Sequence, residues 1–93
     1  MNVINEFNLT PGVYEHYKGG IYVVFTLITH MDNAEGKMAP LQDPLVCYRD
    51  LAPVMTHHNG KHQFVHQVYA RPLSEFTGHV LHNNKQIKRF RPQ

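Results

Sequence analysis

The chain has no tryptophan and, among its 93 residues, a single cysteine, Cys47. One thiol rules out an internal disulfide, and with it the stapled scaffolds of small secreted proteins, so a reducing cytoplasm is the expected setting. No apolar run approaches the roughly 20 residues of a membrane-spanning helix. The opening MNVINEF has neither the basic region nor the apolar stretch of a secretory signal. Carboxylates are few and stand singly: Asp32, Glu35, Asp43, Asp50 and Glu75 lack the paired spacing of acid–base catalysis. Lys18-Gly19-Gly20 lacks the spacing of a phosphate-binding Walker loop. Cys47 sits inside an apolar segment, where a thiol is usually an inert small hydrophobe. Internal repeats and low-complexity stretches are absent. The sequence therefore excludes most recognisable catalytic designs and leaves binding as the expected role.

What is present is one domain's worth of chain. A domain of this length buries roughly two-thirds of its unfolded surface at best, so oligomerisation would help it. The net charge of +2 hides an asymmetry. Lys85, Lys88, Arg89 and Arg91 place four of the nine cations in the last nine positions, and the other five against all seven carboxylates leave residues 1–84 at −2. Only the C-terminal segment resembles a nucleic-acid-binding arm, with Phe90 between Arg89 and Arg91. The plain alternative is a closing strand in which Ile87 and Phe90 pack. The eight histidines would raise the charge steeply between about pH 7 and pH 5 if exposed.

Short strands and tight turns account for the pattern along the chain. Residues Val13 to Tyr17 read as a strand, Lys18-Gly19-Gly20 as a tight connection, and Ile21 to Thr29 as a central strand apolar on both faces. One of those faces would line a core and the other a subunit interface. Residues 30–44 read as a loop and Leu45 to Arg49 as a further strand. Asn59-Gly60 is a strong hairpin signal between two β-rich runs. LSEF reads as one helical turn capped by Ser74, with Phe76 reaching the core. The tail reads either as a hairpin around Asn83-Asn84 or as a disordered basic end. The expectation is an all-β fold: a small SH3-like barrel of five or six short antiparallel strands with one short helical turn. Residues 1–10 are expected to be an N-terminal extension, 11–80 the barrel, and 81–93 a basic tail or closing strand.

The segments PGVYEHYKGGIYVV, LVCYRDL, VYARPLSEF and RFRP occur in that order. Together they resemble a family of short bacterial and phage domains of unknown function, whose outline is G-x-Y-x-H-Y-K-G-x-x-Y-x-V, then V-x-Y-R-x-L, then V-R-P-L-x-x-F. The matching positions are Gly12, Tyr14, His16, Tyr17, Lys18, Gly19, Tyr22 and Val24, then Val46, Tyr48, Arg49 and Leu51, then Arg71, Pro72, Leu73 and Phe76. Two features depart from the pattern. The connection between YRDL and VYARPL is longer and rich in histidine, and Ala70 replaces the usual valine. The resemblance implies a compact SH3-like β fold in a soluble cytoplasmic protein, and no known reaction.

Three groups of residues invite a functional reading. Tyr14, His16, Tyr17, Lys18, Tyr22, Tyr48, Arg49 and Arg71 mix aromatics with cations, the combination that stacks on planar groups and neutralises phosphate. The plain alternative is that the tyrosines roof the core with their hydroxyls at the surface. His57, His58, His62 and His66, with His79 and His82 later, form the second group. A two-residue turn at Asn59-Gly60 would oppose His57 and His62, at a separation that lets two imidazoles share a metal. Solvated loop histidines or a pH-sensitive contact surface are the competing readings. Lys85, Lys88, Arg89 and Arg91 are the third group, as secondary nucleic-acid contacts. The leading expectation is a non-enzymatic, homo-oligomeric module without a cofactor, binding a small anionic or nucleotide-like ligand through the first group. The alternatives are an SH3-like protein- or nucleic-acid-interaction domain and a small hydrolase or transferase with a site between subunits.

Overall fold

The computed structural model describes residues 7, 9–58, 60–65 and 67–93; of residues 54, 56–58 and 62–65 it describes the backbone alone. Its elements are β1 (Gly12–His16), β2 (Ile21–Asp32), β3 (Met38–Asp50), β4 (Val54–His58), β5 (Lys61–Val65), β6 (Val68–Pro72), α1 (Leu73–Phe76), β7 (His79–His82), β8 (Lys85–Lys88) and β9 (Phe90–Pro92). The all-β class with one short helical turn is as the sequence indicates. Five strands form one antiparallel sheet in the order β6-β3-β2-β1-β9, and β4-β5 and β7-β8 are separate hairpins. These hairpins and the short edge strand β9 bring the strands to nine among the described residues, above the five or six expected.

Local chemistry explains the connections. Gly19 adopts φ +106°, a conformation that side-chain-bearing residues avoid, and its N–H donates to the His16 carbonyl at 2.7 Å. The β7-β8 hairpin turns through Asn83 and Asn84 at φ 52° and 62°, the paired left-handed residues of a two-residue turn. Residues 30–44 are not a loop: β2 runs to Asp32 and β3 begins at Met38, so only 33–37 turn. Asn33 holds that turn, its Oδ1 accepting the N–H groups of Glu35 and Lys37 at 2.9 and 3.0 Å.

Side-chain alternation gives the large sheet two faces. The inner face carries Tyr14, Tyr22, Val24, Leu27, Val46, Tyr48 and Tyr69, to which Leu9, Phe76 and Phe90 are added as the rest of the core. The register slips between Val24 and Thr26, so Phe25 is an extra residue and Leu27 takes the next inner position. Within one chain the inner face of Ile21 to Thr29 lines the core, while on the other face Phe25 on β2 and Val68 on β6 are 47% and 62% exposed, the side expected to meet a second subunit.

Among the described residues, hydrogen bonds do not join the sheet's two edges, β6 and β9. Side chains do. Phe76 on α1, immediately after β6, stacks on Phe90 of β9 with centroids 4.1 Å apart and planes 11° from parallel. The expected Ser74 cap is also corrected: α1 has no side-chain cap of its own among the described residues. Instead Asp43 of β3 accepts the Ser74 N–H at 3.1 Å and the Ser74 hydroxyl at 2.5 Å.

Candidate functional site

The end of the inner face near the β1-β2 turn gathers the aromatic and cationic groups. β1 ends at His16, which lies opposite Phe90 in the β1-β9 register, with ring centroids 4.9 Å apart. The His16 imidazole also contacts Tyr17 at 4.6 Å and the edge of Tyr22 at 6.3 Å. Its Nδ1 accepts the Lys18 N–H at 3.1 Å, so in the neutral ring the proton resides on Nε2. Burial, followed by the charges of Arg71, Arg89 and Lys18, lowers the His16 pKa below the ordinary imidazole value. His16 is thus a neutral donor walled by aromatic rings.

Tyr22 forms the floor beside it. The edges or faces of Tyr48, Tyr69 and Phe90 meet its ring at 5.4, 5.8 and 6.1 Å. Gly20 lets this ring lie close: a Cβ placed there would be 2.8 Å from Tyr22 atoms. Tyr48 and Tyr69 stack at 5.4 Å with planes 28° apart. The Arg71 Nε–H donates to the Tyr48 hydroxyl at 3.4 Å, and Arg71 Nη1 pairs with Glu75 at 3.0 Å across the exposed side of α1. The Tyr48 hydroxyl contact is the largest cause of the raised Arg71 pKa.

Asp50 closes the other side. It ends β3 directly across from Tyr22, and its Oδ2 lies 3.1 Å from the Tyr69 hydroxyl, which also reaches Gln67 Oε1 at 2.8 Å. The Tyr22 and Tyr69 pKa values are both raised, first by burial and then through Asp50. The arrangement is an aromatic strip bordered by cations and by one carboxylate, suited to a planar polar ligand with an anionic group.

The fold therefore brings together His16, Tyr17, Lys18, Tyr22, Tyr48 and Arg71 from the sequence-derived set, with Lys18 Nζ 5.7 Å from the Tyr17 ring centre. It does not bring the other two. Tyr14 is 6% exposed, its ring edge-on to Phe76 at 5.2 Å and its hydroxyl donating to the Thr10 carbonyl at 2.6 Å. It is a core residue. Arg49 pairs with Val23 and Val68 in the ladders and so lies on the opposite face from Tyr48, its Nη1 donating to the Asp50 carbonyl at 3.2 Å. Sequence reasoning missed Tyr69, Asp50 and Arg89. The first two lie one or two positions from chosen residues, and strand alternation is the signal that would have found them.

The C-terminal cations do not form one surface. Arg91 pairs with Glu15 at 2.5 Å, the Arg89 charge helps to lower the His16 pKa, and Lys88 borders a cleft of about 90 Å³ with Tyr14, Phe76 and Phe90. The Arg89 Nε is sealed from solvent without a hydrogen-bond partner among the described residues. His57 and His62 do pair in the β4-β5 register, but their side chains lie outside the described residues, as does His66 entirely. Among the described residues no group of three or more His, Cys, Asp or Glu is placed to hold a metal ion. A second cleft, about 280 Å³, opens where β3 departs from register beside Thr29, walled by Phe7, Pro40, Leu41 and Pro44. Among the described residues no helix is long and apolar enough to cross a membrane.

Small antiparallel β folds with a polar aromatic end define a class of structures rather than a chemistry. The sequence pattern of the family described as "Protein of unknown function (DUF1653)" matches residues 12–92, and the chain belongs to that family. Neither the curated proteins nor the solved structures yield a match.

Proposed function

We propose that this domain is a non-enzymatic binding module for a small anionic, nucleotide-like ligand, received at the aromatic end of the inner sheet face. The observation that carries this reading is that cations border the tyrosine strip, Arg71 donating to the Tyr48 hydroxyl at 3.4 Å and Lys18 Nζ lying 5.7 Å from the Tyr17 ring, with the charges of Arg71, Arg89 and Lys18 felt at His16. Like charges held close repel each other, and an arriving anion relieves that repulsion while the rings offer stacking area. Arg71, His16 and Lys18 would meet the anion, with Tyr17, Tyr22 and Tyr69 as the walls and the buried Tyr48 packed behind them.

Self-association through the back of the sheet belongs to the same reading. Exposed Phe25 and Val68 support it, because a second copy seated there would cover apolar surface that one chain leaves in water. A cytoplasmic setting belongs to it as well, supported by the free Cys47.

The test is calorimetric titration with guanosine and adenosine 5′-monophosphates as probes, on wild type, Arg71→Ala and Lys18→Ala. Wild type should bind at least one probe. Each variant should lose tenfold or more in affinity while its circular dichroism and melting temperature hold. Wild-type affinity in both variants would remove the site.

A further inference from the structure

We infer that the ligand's planar group presents two adjacent N–H donors, as a guanine-type base does, and that Asp50 is the residue that receives them. The inference rests on the binding reading above and adds the chemistry of the ligand's other end. Cations alone would select any anion. The feature that distinguishes this strip is that a carboxylate, Asp50, borders its rings as well as the cations.

Asp50 faces inward at the end of β3, in register with Tyr22, and its Oδ2 already sits at the Tyr69 hydroxyl. One hydroxyl donor does not fill a carboxylate, which has about four acceptor sites and no donor when ionised. A ring edge with two parallel N–H groups matches that geometry in the bidentate manner of an Arg–carboxylate pair. An adenine-type edge instead places a ring-nitrogen lone pair against an acceptor, which repels it.

At the far end, His16 offers Nε2–H as a neutral donor because Nδ1 is engaged by the Lys18 N–H, and Arg71 and Arg89 supply charge. His16 is on β1 and Asp50 on β3, two strand spacings across and two residues along the strands, or about 12 Å apart on a diagonal past Tyr22. That separation suits a base at one end and a phosphate one sugar away at the other. Tyr22 lies between them as the stacking surface, held by its contacts with Tyr48, Tyr69 and Phe90. The occupant this describes is a guanine-type nucleoside phosphate, lying across β1, β2 and β3.

The experiment titrates wild type and Asp50→Asn with guanosine, inosine and adenosine 5′-monophosphates, with Arg71→Ala in parallel. The asparagine side chain is nearly the same size as aspartate and keeps an acceptor for Tyr69, so melting temperature serves as the folding control. Wild type should prefer the guanosine probe over the adenosine probe by roughly 10- to 100-fold, the discrimination of one good bidentate pair. Inosine, which lacks the exocyclic amine, should fall between them. Asp50→Asn should erase the preference by weakening guanosine binding, with adenosine affinity held or raised because the amide offers that edge a donor as well as an acceptor. Equal affinity for guanosine and adenosine probes, lost in Arg71→Ala, would overturn the inference and leave the binding reading standing. A guanosine preference that survives in Asp50→Asn would overturn it too. Failure of wild type to bind any of the three would overturn both.

Discussion

Phe76 and Phe90 stack at 4.1 Å and join the two edges of a sheet that hydrogen bonds among the described residues leave open. Both rings also contact Tyr48, at 5.5 and 5.3 Å, so one aromatic knot ties the helical turn, the central strand β3 and the edge strand β9. Phe76→Ala should therefore destabilise the domain by roughly 3–5 kcal/mol, the usual cost of deleting a buried phenyl ring. Phe90→Ala should cost a similar amount. Because they share a contact, the double variant should cost less than the two losses added. Urea unfolding of the three proteins checks this, and strict additivity would contradict the knot.

Gly20 makes a different prediction. An added methyl meets the far end of the Tyr22 ring, which can swing away, and does not meet backbone. Gly20→Ala should thus cost under about 1 kcal/mol in stability, yet shift the Tyr22 ring resonances. Nuclear magnetic resonance spectra together with a melt would show both. A large loss of stability with Tyr22 unmoved would contradict the close approach.

The lowered His16 pKa sets a pH dependence. The folded state binds this proton less readily than the unfolded chain, so stability rises with pH through the window below the unfolded value of about 6.5. Above that value the contribution is fully present, and it is lost as the pH falls. Comparing melting temperatures at pH 7.5 and pH 5.5, wild type should lose more than His16→Gln. Equal losses would show that His16 is not perturbed in the fold.

Asp43 stands in for a helix cap. Asp43→Ala removes the acceptor for both the Ser74 N–H and its hydroxyl and should cost about 1 kcal/mol, the typical value of a lost cap. Ser74→Ala, which leaves the N–H bond intact, should cost less. Denaturant melts of the pair give the order, and the reverse order would contradict the assignment.

Cys47 is 5% exposed, and burial raises its thiol pKa. A buried thiol with little thiolate reacts slowly. An aromatic disulfide reagent at pH 8 should leave the native protein largely unmodified and label one thiol per chain once urea unfolds it. Rapid labelling of the native protein would show that β3 opens readily.

Local chemistry explains which parts of this structure are readable in advance. The turn at Lys18-Gly19-Gly20, the two-residue turn at Asn83-Asn84 and the inward Phe76 each depend on a few neighbouring residues whose backbone preferences decide the outcome. In residues 30–44 the prolines and a glycine suggest a loop, whereas Pro44 falls where β3 runs out of register with β2 and Pro40 pairs with His30 at the border of that stretch. Ser74 reads as a local cap, whereas its acceptor, Asp43, comes from 31 residues away.

The candidate site divides in the same way. Composition and spacing alone determined a small antiparallel β domain and placed aromatics and cations around one hairpin. They could not determine which of those side chains share a face. A bulge at Phe25 shifts the alternation along β2, the β3 register sends Arg49 to one side and Tyr48 to the other, and the fold closes over Tyr14. Arg89, Asp50 and Tyr69 join His16 and Tyr22 only when β9, β3 and β6 are laid beside β1 and β2. Alternation along a strand is a local property, but the pairing that turns it into a site is long-range, and only the folded sheet decides it.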